Sequence, residues 1–367
     1  MTTILPLLLV LAISPAERFQ ALVKDYEAHP EAFWGTLKQE TAAYAPFVEL
    51  ARAEPGSPVA IDALTWVVTH VRDIAAADPA MELLLRDYGK SERLLPAVRG
   101  LDRFIDTTLA MIRLLRALQD NPDRPTRTQA RLTLGRSLSK RKKYFEIKHT
   151  KLDLTMTADP VLRDRIEKRG GVNWPEEESA AAQVDLGKEA ERCFEQVISE
   201  FADFSDLVDV ARRELFELRH LSLGCQAPEI VGRDVDGKTF KLSDYRGKVV
   251  ILYFWNQGCG PCLGSFPSFR NYVKQFEGKP FALLGINYGD KVSDLLPVRD
   301  RGDITWRFWC DGAGDSGPIA AAWNIWKFPT MYVIDAQGLI RYRDLNSGRN
   351  TPTAVDLLLR EVEAKPN

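Results

Sequence analysis

The sequence predicts an all-helical N-terminal part followed by an α/β domain. Apolar residues recur three and four apart from Pro15 to about Leu223, and β-branched and aromatic runs of strand length begin after Gly224. The length of 367 residues accommodates two cores of ordinary size. Composition agrees: 45% hydrophobic, 27% charged and 10% aromatic residues are globular values that exclude a wholly disordered, collagenous or polytopic membrane protein. Forty-nine basic and fifty-one acidic residues leave a net charge of -2, so no chain-wide field favours nucleic acid or an anionic membrane.

The first element is an apolar run from Ile4 to Ile13, shorter than the roughly 20 residues that span a bilayer. Ser14 and Ala16 supply small residues before a cut, although no Lys or Arg precedes the run. This predicts a signal peptide over residues 1–16 and an exported, periplasmic or extracytoplasmic protein; an uncleaved leader would provide N-terminal membrane association. The alternative is a buried N-terminal helix broken near Pro15. Residues 17–223 form the predicted helical domain, with helical periodicity over Ala60 to Ala77, Leu101 to Gln119 and Ser179 to Phe201. Turns fall at Pro55-Gly56-Ser57-Pro58, Asp78-Pro79, Asn121-Pro122, Asp159-Pro160 and Gly170-Gly171. The pattern is that of paired helical hairpins of tetratricopeptide-like type, without a clean 34-residue period.

Residues 224–367 form the predicted α/β domain. Ile230-Val231 and Lys238 to Leu242 flank Asp236-Gly237, a hairpin signal. Lys248 to Trp255 is a continuous apolar run suited to a strand covered on both faces, and Phe281 to Asn287 repeats it after a helix-length gap. Thr330 to Ile334 and Leu339 to Tyr342 flank a turn at Asp335 to Gly338, and Pro352 to Glu363 closes with an amphipathic helix.

The chemistry lies in Cys259-Gly260-Pro261-Cys262, directly after the buried strand and opening a helix. Two cysteines three apart across a first helical turn share one side and can close a disulfide. Unsatisfied N–H groups at a helix start favour an anion, so Cys259 is expected to ionise more readily than a free thiol. Pro261 has no N–H to leave unpaired there, and Gly260 leaves the sulfur accessible. A zinc half-site and two inert thiols are the alternatives. Zinc needs four ligands, but no second CxxC is present and all four histidines lie in the helical part, so no metal or cofactor is expected.

On these residues the segment from about Ala227 to Ala364 resembles the thioredoxin-fold TlpA/ResA-like thiol-disulfide oxidoreductases. Ala227-Pro228, Leu242 to Lys248, the run into Phe254-Trp255, Pro267 after the CGPC, Ile325 to Thr330 and Val333-Ile334-Asp335 carry the resemblance. It implies that Cys259 attacks, that Cys262 resolves, and that Pro329 is a cis-proline. Phe328 would present backbone groups to an extended peptide; Gly260, Pro261 and Thr330 complete the substrate-positioning set. The chain departs from the family where Gly258 replaces a Trp before the first cysteine. Tyr253 and Ser265 occupy positions where relatives place carboxylates, leaving resolution without an obvious base. Expected partners are protein clients with exposed disulfides or thiols and a redox partner protein, with no nucleic acid. Rival readings are a disulfide isomerase whose helical domain is a dimerisation or client arm, and a helical interaction scaffold with a regulatory or vestigial redox domain.

Other signals are weaker. Cys193 reads as a core thiol, while Cys225 and Cys310 are candidates for a structural disulfide. Gly314 to Pro318 echoes a serine-protease loop, but no His lies beyond position 220 and the segment reads as a turn into a helix. Trp306, Trp309, Trp323 and Trp326 are candidates for a substrate rim, with core packing the preferred reading. Arg124 to Lys151 holds ten basic residues and one acid, Glu146, read as a solvated helix face.

Overall fold

The computed structural model describes residues 13–33, 35–104, 107–148, 180–314, 317–345 and 350–364. Most of the predicted leader and the expected turns at Asp159-Pro160 and Gly170-Gly171 lie outside these residues. Among the described residues, no helix is long and apolar enough to cross a membrane. The chain divides into two compact units, Met1–Lys142 with Ala180–Glu214, and Lys143–Ser179 with Leu215–Asn367.

The first unit is built of helices: α1 (Pro15–Ala28), α2 (Leu37–Ala53), α3 (Pro58–His70), α4 (Asp78–Tyr88), α5 (Leu95–Asp102), α6 (Leu109–Ala117), most of α7 (Arg124–Lys148) and α8 (Ala180–Glu200). The start of α9 (Ser205–His220) also belongs here. Local chemistry sets the helix starts. Ser14 with Glu17 and Thr36 with Gln39 form reciprocal capping boxes, while Ser57 and Thr108 cap α3 and α6. Part of the basic stripe of α7 is answered inside the unit. Arg124 pairs with Asp203, Arg131 with Glu200 and Arg136 with Asp102 and Glu214, while Lys140 donates to the Phe104 carbonyl at 2.8 Å. Three of its ten basic residues, Arg124, Arg131 and Arg136, thus meet acids from elsewhere in the unit.

The second unit has a five-stranded sheet in the order β5-β4-β3-β6-β7. These strands are β3 (Val249–Trp255), β4 (Phe281–Gly289), β5 (Arg307–Ala313), β6 (Thr330–Ile334) and β7 (Ile340–Arg343). β3 runs parallel to β4 and β4 to β5, whereas β6 is antiparallel to both β3 and β7. A separate ribbon pairs β1 (Val231–Arg233) with β2 (Thr239–Lys241). The expected two-residue hairpin is longer here: Asp234 to Lys238 connect the strands, with Asp234 Oδ1 accepting the Asp236 and Lys238 N–H groups. Gly237 takes φ 77°, the left-handed conformation that glycine adopts without a Cβ penalty.

The continuous apolar run of β3 follows from its central place. Val249, Ile251, Tyr253 and Trp255 enter one core, and Val250, Leu252 and Phe254 enter the other. The first core is completed by α10 (Gly260–Gly264), α11 (Phe266–Gln275), α12 (Val292–Asp300) and α14 (Asn350–Glu363) through Cys262, Phe266, Phe269, Leu295, Val355 and Leu358. On the other face, Phe240, Leu242, Leu221 and Trp323 pack, the last just beyond α13 (Pro318–Ala322). Gly285 lets β4 and β5 pack closely, since a Cβ there would meet Phe308 Cβ at 2.9 Å and Trp255 Nε1 at 3.1 Å. This alternation fixes the end of β3, and the loop after it, at the middle of a packed sheet.

Candidate active site

β3 ends at Trp255, and the short loop Asn256 to Gly258 delivers Cys259 to the N-cap of α10. Cys259 is partly exposed and Cys262 is buried. Their sulfurs are joined in a disulfide with Cα atoms 5.2 Å apart. Cys259 Sγ also accepts the Cys262 backbone N–H at 3.1 Å, so the sulfur occupies the place of a capping side chain. Pro261 stands in the first turn, where its missing N–H leaves no hydrogen bond unmade. Pro267 then removes an N–H within the helical path, which divides at Ser265 between α10 and α11.

Under Cys262, Tyr253 donates its hydroxyl to the Cys262 carbonyl at 3.3 Å. Burial pushes the Tyr253 phenol up to about 12, opposed by a hydrogen bond with Ser265, so the group is a neutral donor at physiological pH. Ser265 donates to the Pro261 carbonyl at 3.2 Å. Hydroxyls therefore stand where the resemblance expects carboxylates. A carboxylate does reach the loop from elsewhere: Asp290 Oδ2 accepts the Gln257 N–H at 2.9 Å. Nothing in the spacing of residues 256–262 signals Asp290, because only the pairing of β3 with β4 brings it there.

The Phe328–Pro329 peptide is cis. Pairing of Phe254 with Thr330 sets this peptide beside the end of β3. Thr330 Oγ1 donates to the Lys327 carbonyl at 2.8 Å, closing the turn. Phe328 stacks on Tyr288 with ring centroids 5.3 Å apart and packs against the apolar cluster that Cys259 also borders. Pro329 and Gly260 are exposed. The four-tryptophan expectation divides: Trp306, Trp309 and Trp323 are buried, whereas Trp326 is 76% exposed beside the cis-proline turn.

Behind that turn lies a buried ionic group. Asp344, at φ 54°, donates its N–H to the Met331 carbonyl at 2.8 Å and accepts from Lys143 Nζ at 3.0 Å. Arg343 donates to Glu217 at 2.7 Å, and Asn324 to the same carboxylate at 3.1 Å. Burial works to raise the Asp344 carboxyl, but Lys143, Arg343 and Lys327 outweigh it and hold the group far below the usual range. Glu217 is likewise lowered, by Arg343 and Lys143 against burial.

Two of the remaining thiols are held protonated. Burial pushes Cys193 up to about 12 and Cys310 up to about 11. The Cys225–Cys310 disulfide considered from the sequence is not formed; Cys225 Sγ lies 3.3 Å from the Arg219 carbonyl. Asp311 holds the first turn of α13: its buried carboxylate accepts the Ile319 and Ala320 N–H groups, both at 2.7 Å.

A sheet of this order with a CxxC opening a helix and a facing cis-proline defines a thioredoxin-like domain. The AhpC/TSA family model matches residues 223–343. Thioredoxin-like protein YneN of Bacillus subtilis is 30% identical over 131 residues, 35% of this chain and 73% of that protein. Thiol-disulfide oxidoreductase ResA of Geobacillus thermodenitrificans is 26% identical over 121 residues, covering 33% of this chain and 68% of that protein. Among solved structures, the thioredoxin domain of a Bacteroides vulgatus thiol-disulfide oxidoreductase is 24% identical with a TM-score of 0.35, covering 37% of this chain and 98% of that one. Through its C-terminal part, the chain belongs to the thioredoxin-like thiol-disulfide oxidoreductase family of YneN and ResA.

Proposed function

We propose that the protein exchanges disulfides with client proteins through Cys259 and Cys262. The observation that carries this reading is a partly exposed sulfur at a helix start, receiving a backbone N–H and bonded to a buried sulfur one turn away. In the reduced protein that N–H stabilises a Cys259 thiolate. The thiolate attacks one sulfur of a client disulfide, and the other client sulfur leaves as thiolate and takes up a proton. Cys262 then loses its proton and attacks Cys259, releasing the second client thiol and leaving the Cys259–Cys262 disulfide. Two electrons pass from the dithiol to the client, and a redox partner protein returns them. Tyr253 stays protonated throughout, so the Cys262 proton leaves to water.

Gly260 and Pro261 keep the approach to Cys259 open, and Phe328, Pro329 and Thr330 position an extended client segment beside it. Exposed Trp326 extends that surface with an aromatic face. No metal or cofactor takes part in these steps. We place the activity outside the cytoplasm, in a protein whose thioredoxin-like domain is residues 224–367 and whose helical domain, residues 17–223, follows a leader at 1–16.

Replacing Cys262 with Ser tests the reading: client proteins accumulate as mixed disulfides on Cys259 and are released by dithiothreitol. Trapping of no client, together with no insulin reduction by the unmodified protein, would leave a helical scaffold carrying an idle redox domain.

A further inference from the structure

The loop that carries Cys259 is tied down from outside its own motif. Asp290, immediately after β4, brings Oδ2 to two donors, the Gln257 backbone N–H at 2.9 Å and Asn287 Nδ2 at 2.7 Å. Gln257 makes a second tie through its side chain, with Nε2 donating to the Asp294 carbonyl in α12 at 3.0 Å. Within the loop, the backbone makes the turn bond from Cys259 N–H to the Asn256 carbonyl at 3.3 Å.

Asn287 shows that the placement of Asp290 is constrained. Its side chain is fully buried, and Oδ1 has no hydrogen-bond partner among the described residues. Buried amide oxygens ordinarily find donors. Exchanging the amide oxygen and nitrogen would set an acceptor against the Asp290 carboxylate, so the amide faces it with Nδ2. The chain thus leaves one buried acceptor unmet in order to hold that carboxylate.

We infer that Asp290 is the positioning residue of the Cys259 loop, holding Gln257 so that the sulfur two residues on stays at the N-cap of α10. The inference rests on the thiol-disulfide reading and adds to it a residue from another strand. Gly258 makes the need concrete, because a glycine between Gln257 and Cys259 gives the loop the greatest freedom to rotate once its tie is lost. A Cys259 sulfur that leaves the cap no longer receives the Cys262 N–H.

The test compares two neutral variants of the full chain, Asp290→Asn and Asp290→Ala, after reduction. Alkylation of Cys259 by iodoacetamide at pH 7 is followed on its own peptide by mass spectrometry. The Asn amide oxygen still accepts both N–H groups, so D290N reacts at or above the unmodified rate. D290A has no acceptor and falls about tenfold below D290N, because a sulfur that leaves the cap is less often a thiolate at pH 7. Equal rates in the two variants overturn the inference. Should D290A fail to fold, amide hydrogen exchange in the unmodified protein decides: the Gln257 N–H is protected if Asp290 holds it, and exchange at the free-peptide rate contradicts the proposal. Alkylation involves no client, so absence of insulin reduction by the unmodified protein would count against the exchange reading without touching this one.

Discussion

Burial sets two of the free thiols apart from the sulfur at the helix start. Cys193 and Cys310, pushed up to about 12 and about 11, stay protonated near neutrality, whereas Cys259 meets a backbone N–H at a helix start. Native protein treated with iodoacetamide at pH 8 after mild reduction is therefore expected to label Cys259 and to spare Cys193 and Cys310, as read by peptide mass. Tyr253 donates rather than abstracts a proton. Tyr253→Phe should lower stability by about 1 kcal/mol in urea unfolding and change the exchange rate at pH 7 by less than about twofold. Trp326→Ala should raise KM for a protein client while leaving reaction with a small disulfide unaltered, because only an extended client reaches the exposed ring. At this scale the two cysteines were legible, since spacing and a preceding strand suffice to find them. Asp290 was not, because its link to Gln257 is made by strand pairing. The cis state of Pro329 was legible only through the family resemblance, as cis bonds occur at only about 5% of X–Pro peptides.

Elements were read well where one residue pattern decided them. The continuous run of β3 and the amphipathic pattern of α14 are examples, because each has one face or two faces in a core. Helix ends decided by partners elsewhere in the chain were missed. The helical pattern from Ala60 to Ala77 stops at His70, and a short 3₁₀ turn covers Ile74–Ala77. Glu40, from α2, accepts the Arg72 and Asp73 N–H groups, and Asp73 caps the turn that follows. Leu101 to Gln119 similarly divides where Asp102 ends α5 and Thr108 caps α6. The buried charges behind β6 and β7 were equally illegible, since four separate segments supply them. Asp344→Asn keeps a residue type that tolerates positive φ and removes the charge facing Arg343 and Lys143, so it isolates the electrostatic contribution. It should cost roughly 3–5 kcal/mol in denaturant unfolding. Both Asp344 and Glu217 are held below their ordinary values of 3.8 and 4.5 in the folded state. Their contribution is complete above about pH 4.5 and is withdrawn as pH falls through the lowered folded values. The loss of stability on acidification should be shallower in D344N than in the unmodified protein.

For the molecule as a whole, the change from helical to strand periodicity near Gly224 was legible, but the end of α9 takes part in the second unit. Leu221 is buried against the sheet, with Phe216 and Leu223 packed beside it, and Glu217 pairs with Arg343. A fragment starting at residue 224 loses Glu217 from the buried Arg343 guanidinium and Leu221 from the core, and should be less stable than one starting at residue 205 by roughly 3–5 kcal/mol, measured by urea unfolding of the two. Within the helical unit, ion pairs hold Arg124, Arg131 and Arg136 of the basic stripe.

The exchange chemistry requires that the sulfur at position 259 be available as an anion near neutral pH. The pH dependence of Cys259 alkylation in the reduced protein measures this directly. An apparent pKa clearly below the value of about 8.5 for a free thiol is the result expected, because the backbone N–H groups at the helix start favour the thiolate. A value at or above 8.5 would mean that the helix start does not activate the thiol, and would contradict the proposed exchange chemistry.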